Sequence, residues 1–146
     1  MSFRLSNPDN TSFRWPVRIY YEDTDAGGLV YHANYLRFME RARTERLRAA
    51  GFELDGLQCD HGILFVVRYM ELDFLKPARF NDALWVTAEF SEIRAASLYF
   101  DQAVLRGEDE VLCRARVRVV SISAETYRPK GVPDGVVQQL LGTRAD

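Results

Sequence analysis

The hydrophobic pattern changes its period along the chain, and this change limits the folds that the sequence can adopt. From about His32 to Ala50, apolar residues recur every three to four positions, as on one face of a helix. The members of this face are Tyr35, Phe38, Met39, Ala42 and Ala49. Between Gly62 and Ser123, apolar and polar residues mostly alternate, which is typical of β-strands. The sequence therefore predicts one long helix followed by a run of strands.

The predicted strands form a meander. Short turns around Arg94 to Ser97 and Gly107 to Glu110 separate long alternating runs, so neighbouring strands are expected to be antiparallel. Arg68 interrupts the first run, whose apolar face is expected to contain Leu64, Val66, Met70, Leu72 and Phe74. A further strand is predicted over Val17 to Asp23, and a short helix near Asp134 to Leu141. One helix and a sheet with one apolar face can bury each other, which predicts a two-layer α+β domain and fits several folds of that class.

Length and composition exclude several classes of protein. The chain has 146 residues, and we expect one domain over residues 1–146 with a loose, mostly polar arm at residues 1–16. A formal net charge of −2 argues against a general nucleic-acid-binding protein. The sequence shows no signal-peptide core and no membrane-spanning segment. The expected location is therefore the reducing cytoplasm.

Neither metals nor redox cofactors are expected. The histidines are His32 and His61, and the cysteines are Cys59 and Cys113. Their spacing matches no common zinc-ligand pattern, and two cysteines in such different settings do not indicate a disulfide framework. The sequence therefore predicts no metal site.

One segment carries a specific motif. Residues 17–43, VRIYYEDTDAGGLVYHANYLRFMERAR, contain a DTDAGG turn, a VYHANY helix start and an ERAR continuation. The segment resembles the signature of the 4-hydroxybenzoyl-CoA thioesterase family, and more closely that of the Tol–Pal-associated branch of bacterial acyl-CoA thioesterases. Residues 69–82, YMELDFLKPARFND, are also similar to that branch, so the resemblance covers about residues 17–125. It implies the hotdog fold, in which a strongly curved antiparallel sheet wraps one long central helix.

The resemblance also implies an activity and a set of roles. The implied reaction is hydrolysis of an acyl-CoA to the free acid and coenzyme A, which enters as part of the substrate, so no separate cofactor is implied. The catalytic carboxylate corresponds to Asp25, as nucleophile or general base. The oxyanion donor corresponds to the backbone N–H of His32, whose side chain is also thought to assist in this branch. Thioesters of acyl carrier protein are further candidate substrates, and dimers that share active sites and pair into a homotetramer are expected.

The residue types suit this chemistry. Hydrolysis of a thioester needs a carboxylate that attacks the carbonyl or activates water, and donors for the oxyanion that forms. Asp25 follows a predicted strand and precedes a helix start, where the first N–H groups lack internal partners and the macrodipole places roughly +0.5 charge. Turn formation and helix capping are the alternative roles for Asp23 and Asp25, and we assign Asp23 to that structural role.

Substrate contacts are predicted at three further residues. Tyr31 is a candidate for the acyl pocket, although aromatic residues also pack in cores. Arg116 lies with Arg114 and Arg118 on the polar face of the last long strand, and Arg94 lies at a strand end. Arginine favours phosphate groups, so Arg94 and Arg116 are candidates for binding coenzyme A phosphates. A solvated or subunit-facing sheet surface is the alternative for these arginines.

Other sites and functions are less favoured. Glu40 and Glu45 of the long helix are rival carboxylates, but both lie off the apolar face, and pairing with arginine explains them more simply. A hotdog hydratase or dehydratase would also pair an acidic residue with a histidine, yet here Asp25 precedes His32 within a glycine turn. An acyl-binding or scaffold protein of the cell-envelope or phospholipid machinery is the alternative function.

Overall fold

The computed structural model describes residues 13–142 as one antiparallel sheet with helices beside it. In chain order the elements are β1 (Arg14–Arg18), a 3-10 turn (Tyr21–Asp23), α1 (His32–Ala49), α2 (Leu54–His61), β2 (Ile63–Phe74), β3 (Ala83–Thr87), β4 (Glu89–Arg94), β5 (Ser97–Arg106), β6 (Glu110–Ser123) and α3 (Asp134–Gly142). None of the helices within residues 13–142 has both the length and the apolar character needed to cross a membrane.

The sheet places its longest strands next to one another. Its order is β1-β3-β5-β6-β2, with β4 paired to β5 beyond the end of β3, and every pair is antiparallel. The predicted meander is confirmed for β5 and β6, which are joined by a short turn. Strand β2 pairs with β6 on one side only, so its other side is an edge of the sheet.

The core lies between α1 and one face of the sheet. Tyr35, Phe38, Met39 and Ala42 of α1 are buried as predicted, whereas Ala49, at the end of the helix, is exposed. The inward-facing side chains of β6 complete the other wall; they are Cys113, Ala115, Val117 and Val119. Removing this apolar surface from water is the main favourable contribution to folding. The predicted two-layer α+β arrangement is confirmed.

The N-terminal prediction needs correction. The predicted strand over Val17 to Asp23 is shifted, because the observed strand is Arg14–Arg18 and a 3-10 turn follows at Tyr21–Asp23. The Asp23 carboxylate closes this turn by accepting a hydrogen bond from the Tyr20 N–H (2.8 Å). Pro16 is accommodated because β1 is an edge strand. Residues 13–16 of the predicted loose arm are thus ordered, and residues 1–12 lie outside the described residues.

A β-bulge in β2 changes which side chains face the core. The pairing with β6 shifts between Val67 and Tyr69, so Arg68 is the extra residue. Phe65 packs against the core before the bulge and Met70 does so after it. The prediction of one continuous apolar face is therefore wrong before the bulge, because neither Leu64 nor Val66 belongs to the core and Val66 is exposed. Alternation in sequence cannot reveal the extra residue, because a bulge reverses the faces without changing composition.

The two short helices differ in how well the sequence indicates them. Helix α3, Asp134–Gly142, confirms the prediction of a short helix in that region. Helix α2 was not predicted, and Leu57 is its one buried residue, so no apolar period marks it. It ends at Gly62, whose φ of 65° lies in the left-handed region that favours glycine.

The two cysteines are expected to differ sharply in reactivity. Cys113 is buried in the core, and burial raises the pKa of its thiol to about 12, whereas Cys59 is exposed on α2. An aromatic disulfide reagent at pH 8 should therefore modify one thiol per chain rapidly and the second only after unfolding. Cys59→Ser should remove the fast phase. Simultaneous modification of both thiols in the native protein would contradict this placement.

Candidate active site

The DTDAGG segment forms a tight turn that fixes Asp25. The Asp25 N–H donates to the Leu29 carbonyl (2.9 Å), and the Gly28 N–H donates to the Asp25 carbonyl (3.0 Å). Gly28 has a φ of 80°, which explains the need for glycine there. The Gly27 N–H donates to Oδ1 of Asp25 (2.9 Å). Oδ2 has no hydrogen-bond partner among residues 13–142, so one carboxylate oxygen is held and the other is available.

Asp23 connects this turn to the start of α1. Its Oδ1 accepts a hydrogen bond from Nδ2 of Asn34 (2.9 Å), and its Oδ2 accepts one from the Tyr20 N–H. Its backbone carbonyl accepts a further bond from the Tyr31 N–H (3.0 Å). Both carboxylate oxygens are thus occupied by the local structure, in agreement with the structural role assigned to Asp23.

The N-terminus of α1 lacks a side-chain cap. Tyr31 occupies the N-cap position without a side-chain hydrogen bond, and the first turn contains no acidic residue. The His32 N–H makes no backbone hydrogen bond within the described part of the chain. The first turn therefore contributes no carboxylate to the partial positive charge of the helix end, and both oxygens of the nearby Asp23 carboxylate are occupied by Asn34 and Tyr20. This end of α1 can accept a negatively charged or strongly polarised oxygen.

The turn and the helix start open on one cleft of about 340 Å³. Asp25 and His32 both line it, so the structure brings together the two residues predicted to be catalytic. The remaining lining residues are Leu29, Val30, Tyr35, Phe74, Leu75, Lys76 and Pro77. The cleft is thus mainly apolar. The cation among its lining residues, Lys76, forms an ion pair with Glu110, with its Nζ 3.4 Å from Oε2.

The segment from Phe74 to Pro77 was not predicted as part of the site. It forms the end of β2 and the loop that follows, and it is distant in sequence from the DTDAGG turn. The isolated bridge between Leu29 and Arg79 and the hydrogen bond from the Val30 N–H to the Ala78 carbonyl (3.0 Å) bring this loop beside the turn. The sequence did contain an indication of this part of the site. Residues 74–77, FLKP, lie within the stretch 69–82 that also carries the family resemblance.

The three predicted substrate contacts lie outside the lining of the cleft. The Tyr31 ring is half exposed and lies 4.5 Å from the His32 ring, measured between centroids. Arg94 is exposed before the β4–β5 turn, where its Nε donates to Oε1 of Glu92 (3.0 Å). Arg116 lies on the sheet face opposite α1, with its Nε 3.9 Å from Oδ1 of Asp101. Their contacts with substrate stay predictions.

The rival carboxylates are also outside this cleft. Glu45 forms an ion pair with Arg48, as expected for a helix-surface residue. Glu40 is exposed and lines a different cavity, together with Arg43. Within residues 13–142, no group of three or more His, Cys, Asp or Glu side chains is arranged to hold a metal ion.

Comparison with known proteins identifies the family. Residues 27–113 match the family model described as the thioesterase superfamily. The chain belongs to this superfamily. The thioesterase is 44% identical to the acyl-CoA thioester hydrolase YbgC of Escherichia coli O157:H7, over 90% of this chain and 98% of that protein. It is 41% identical to the acyl-CoA thioesterase YbgC of Haemophilus influenzae, over 87% of this chain and 93% of that protein.

The fold of the thioesterase agrees with that of solved relatives. A probable thioesterase from Bartonella henselae superposes with a TM-score of 0.76 at 36% identity, over 82% of this chain and 98% of that one. Together with the family match, this similarity confirms the predicted hotdog fold.

Tyr35 joins the cleft to the core of the thioesterase. Its hydroxyl accepts a hydrogen bond from the N–H of Ala78 (3.0 Å), a residue that is fully buried. Tyr35→Phe should leave that N–H without a partner and lower the free energy of unfolding by about 1–3 kcal/mol, measured by urea denaturation. The matched control is Tyr127→Phe, since the Tyr127 side chain is exposed and loss of its hydroxyl should cost less than about 0.5 kcal/mol. Equal stability of the two variants would contradict the assigned role of Tyr35.

Proposed function

We propose that this thioesterase hydrolyses acyl-CoA thioesters, with Asp25 as the catalytic carboxylate. The observation that carries the proposal is the cleft that Asp25 shares with the uncapped start of α1. The names of the Escherichia coli and Haemophilus influenzae relatives support acyl-CoA as the substrate class. The DTDAGG and ERAR motifs further support membership of the Tol–Pal-associated branch.

The oxyanion is stabilised at the helix start in the proposed mechanism. A thioester carbonyl oxygen placed at this end of α1 accepts a hydrogen bond from the His32 N–H, which has no backbone partner among the described residues. The macrodipole adds favourable electrostatic energy as negative charge develops on that oxygen. Loss of one such donor typically lowers turnover by a factor of about 10²–10³.

Asp25 supplies the reacting carboxylate. The hydrogen bond from Gly27 holds Oδ1 and leaves Oδ2 to react. As a nucleophile, Oδ2 attacks the carbonyl carbon, the carbon–sulfur bond breaks, and coenzyme A leaves as the thiolate. Water then hydrolyses the resulting mixed anhydride to the free acid and regenerates Asp25. As a general base, the carboxylate instead takes a proton from the water that attacks the carbonyl carbon directly.

The cleft walls suit the rest of the substrate. Leu29, Phe74 and Leu75 provide apolar surface for the acyl group next to the reacting carbonyl. The centroid of the His32 ring lies 4.5 Å from that of Tyr31 and 6.4 Å from that of Phe74, and we assign this ring to orienting the thioester. Coenzyme A is long, so its phosphates extend beyond this cleft. Arg94 and Arg116 therefore stay candidates for phosphate contacts.

A homotetramer built from hotdog dimers belongs to the same proposal. The free edge of β2 exposes Val66, Val67 and Tyr69, which suits strand pairing with a second copy. On the sheet face opposite α1, Nε of Arg114 is enclosed without a hydrogen-bond partner among residues 13–142. Oδ1 of Asp101 makes no hydrogen bond there either and lies 3.9 Å from Nε of Arg116. Polar groups with incomplete hydrogen bonding favour a second interface on this face, because leaving them so is costly. Light scattering on the purified protein should give four times the 16.8 kDa chain mass.

The proposed cellular location is the cytoplasm. Cys59 and Cys113 are both free thiols, which suits the reducing cytoplasm. Acyl carrier protein is a second candidate donor of the acyl group, because it carries the same thioester chemistry.

The activity is tested with a panel of short-chain, long-chain and aromatic acyl-CoAs. Release of free thiol is followed against a matched incubation of enzyme without substrate, which corrects for the reactive Cys59. We expect many turnovers per active site for at least one substrate, and the ratios of kcat/KM identify the acyl class. Absence of thiol release from every acyl-CoA and acyl carrier protein thioester would reject the proposal in favour of acyl binding or scaffolding.

A further inference from the structure

Arg106 connects two carboxylates and a backbone carbonyl at one end of the sheet. It is the last residue of β5 and pairs across the β5–β6 turn with Glu110, the first residue of β6. Its Nε and Nη2 donate to the two carboxylate oxygens of Glu110 (2.9 and 3.1 Å). Its Nη1 donates to Oδ2 of Asp82 (2.9 Å) and to the Pro77 carbonyl (3.3 Å). One guanidinium thus joins the β5–β6 hairpin to two points of the loop that follows β2.

This loop, residues 75–82 between β2 and β3, forms part of the active site, and we call it the cleft loop. Its residues 75–77 line the Asp25 cleft. Its Ala78 carbonyl accepts a hydrogen bond from the N–H of Val30, which lies between the Asp25 turn and the start of α1. The cleft loop therefore forms a wall of the cleft and also contacts the segment that connects Asp25 to the helix.

Backbone hydrogen bonds hold the two ends of the cleft loop. At its start, two N–H groups donate to the Leu112 carbonyl (2.9 and 3.0 Å), and at its end the Asp82 carbonyl accepts from the Ile19 N–H (2.9 Å). Pro77 has no N–H to donate, so its carbonyl is the group that can contact the sheet. The side chain of Arg106 therefore adds a link from the sheet to the interior of the loop.

The chemistry of this link suits a fixed position. The side chains of Arg106, Asp82 and Glu110 are 29%, 22% and 35% exposed, so water screens the link only in part. Hydrogen bonds from Arg106 hold the pKa of Glu110 below its ordinary value, so this pair stays charged at neutral pH. Two parallel hydrogen bonds between a planar guanidinium and a carboxylate also fix orientation, which a single ion pair does not.

We propose that Arg106 is a positioning residue for the reaction, which acts through the cleft loop to place the Asp25 carboxylate relative to the start of α1. The inference rests on the proposed hydrolysis and adds a residue that does not line the cleft. A displacement of 1 Å between reacting groups can lower a rate by a factor of about 10². Apolar contacts tolerate such a displacement better, so loss of Arg106 should affect kcat more than KM.

The first test is the steady-state kinetics of Arg106→Met with the best acyl-CoA. We expect kcat to fall about tenfold and KM to change less than about threefold. The matched control is Arg48→Met. Arg48 also pairs with two carboxylates, Glu45 and Glu53, but it does not line the Asp25 cleft, so both constants should stay unchanged. Circular dichroism checks that each variant is folded.

A second variant removes the link from the side of the loop. If Arg106→Met does not fold, Asp82→Ala leaves Arg106 paired with Glu110 and removes the carboxylate that the loop contributes. Because the link is lost in both variants, the same fall in kcat is expected.

The Asp25→Asn background separates positioning from a general loss of structure. In that background Arg106→Met should lower the residual rate less than about twofold, because the carboxylate that it positions is already gone. Partial unfolding or loss of assembly would instead lower the rate by the same factor in both backgrounds.

Amide hydrogen exchange tests the geometry without any substrate. In Arg106→Met the Val30 N–H, which is bonded to the cleft loop, should exchange about tenfold faster than in the wild type. The amide of Val117, in the middle of β6, should exchange at the same rate in both proteins. Arg48→Met should change neither amide.

The possible outcomes distinguish this inference from the proposed function. If the wild type hydrolyses acyl-CoA and both Arg106→Met and Asp82→Ala keep its kcat, the positioning role is rejected and the hydrolysis stands. Equal falls in the wild-type and Asp25→Asn backgrounds, or unchanged exchange at Val30, would also overturn it. Absence of any wild-type turnover would reject the proposed function, and the positioning role with it.

Discussion

Asp25→Asn is expected to lower kcat for the best acyl-CoA by a factor of about 10² or more, with the protein still folded. An asparagine side chain can neither attack the thioester as an anion nor take a proton from water. Its amide oxygen can still accept the hydrogen bond from the Gly27 N–H, and residue 25 is exposed, so the turn should persist. Steady-state rates and circular dichroism of the two proteins, compared side by side, check both parts.

The matched control for this substitution is Asp55→Asn. Asp55 is also exposed, and its Oδ1 also accepts a hydrogen bond from a neighbouring glycine N–H, that of Gly56 (2.9 Å). It lies on α2 and does not line the Asp25 cleft, so its substitution should leave kcat unchanged. Equal rates for wild type and Asp25→Asn would remove Asp25 from the mechanism. Glu40→Gln would then be the next variant to assay.

Gln102→Leu is expected to lower the free energy of unfolding by about 3 kcal/mol. Gln102 is fully buried and connects α1 to the sheet through its side-chain amide. Its Oε1 accepts from Arg43, and its Nε2 donates to the carbonyls of Met39 (3.0 Å) and Thr87 (3.1 Å). Leucine has similar size but leaves Arg43 and both carbonyls without this partner. Urea denaturation at equal protein concentration measures the loss, because assembly also contributes to stability.

A double-mutant cycle isolates the contact with Arg43. If the guanidinium is the main group left unsatisfied, Arg43→Met should cost less in the Gln102→Leu background than in the wild type, with a coupling of about 1–2 kcal/mol. Val104→Ala, at the next inward-facing and fully buried position of β5, reports the cost of losing packing alone. Additive effects of the Arg43 and Gln102 substitutions would contradict the proposed coupling.

Elements with a regular apolar period could be predicted from the sequence. The apolar face of α1 and the alternation in β5 and β6 identified the helix and the central strands, because burial of one face imposes those periods. The 3-10 turn after β1, the bulge at Arg68 and the short helix α2 could not be predicted. The turn depends on a side-chain hydrogen bond of Asp23, the bulge on the pairing of β2 with β6, and α2 on a single buried residue.

The candidate site was predictable only in part. The motif identified Asp25 and His32, which are close in sequence and share one turn and helix start. The cleft wall from Phe74 to Pro77 consists of the last residue of β2 and the loop after it. This segment is distant in sequence from the DTDAGG turn, so its position beside the turn depends on tertiary structure. Arg43 and Gln102 are polar residues 59 positions apart, and nothing in a hydrophobic pattern indicates that they meet inside the core.

A crystal structure of Asp25→Asn with a bound acyl-CoA tests the central claim most directly. The proposed mechanism predicts a thioester carbonyl oxygen about 2.7–3.1 Å from the backbone nitrogen of His32, with the carbonyl carbon facing residue 25. A thioester bound beside Glu40, or a carbonyl oxygen directed away from the start of α1, would contradict it.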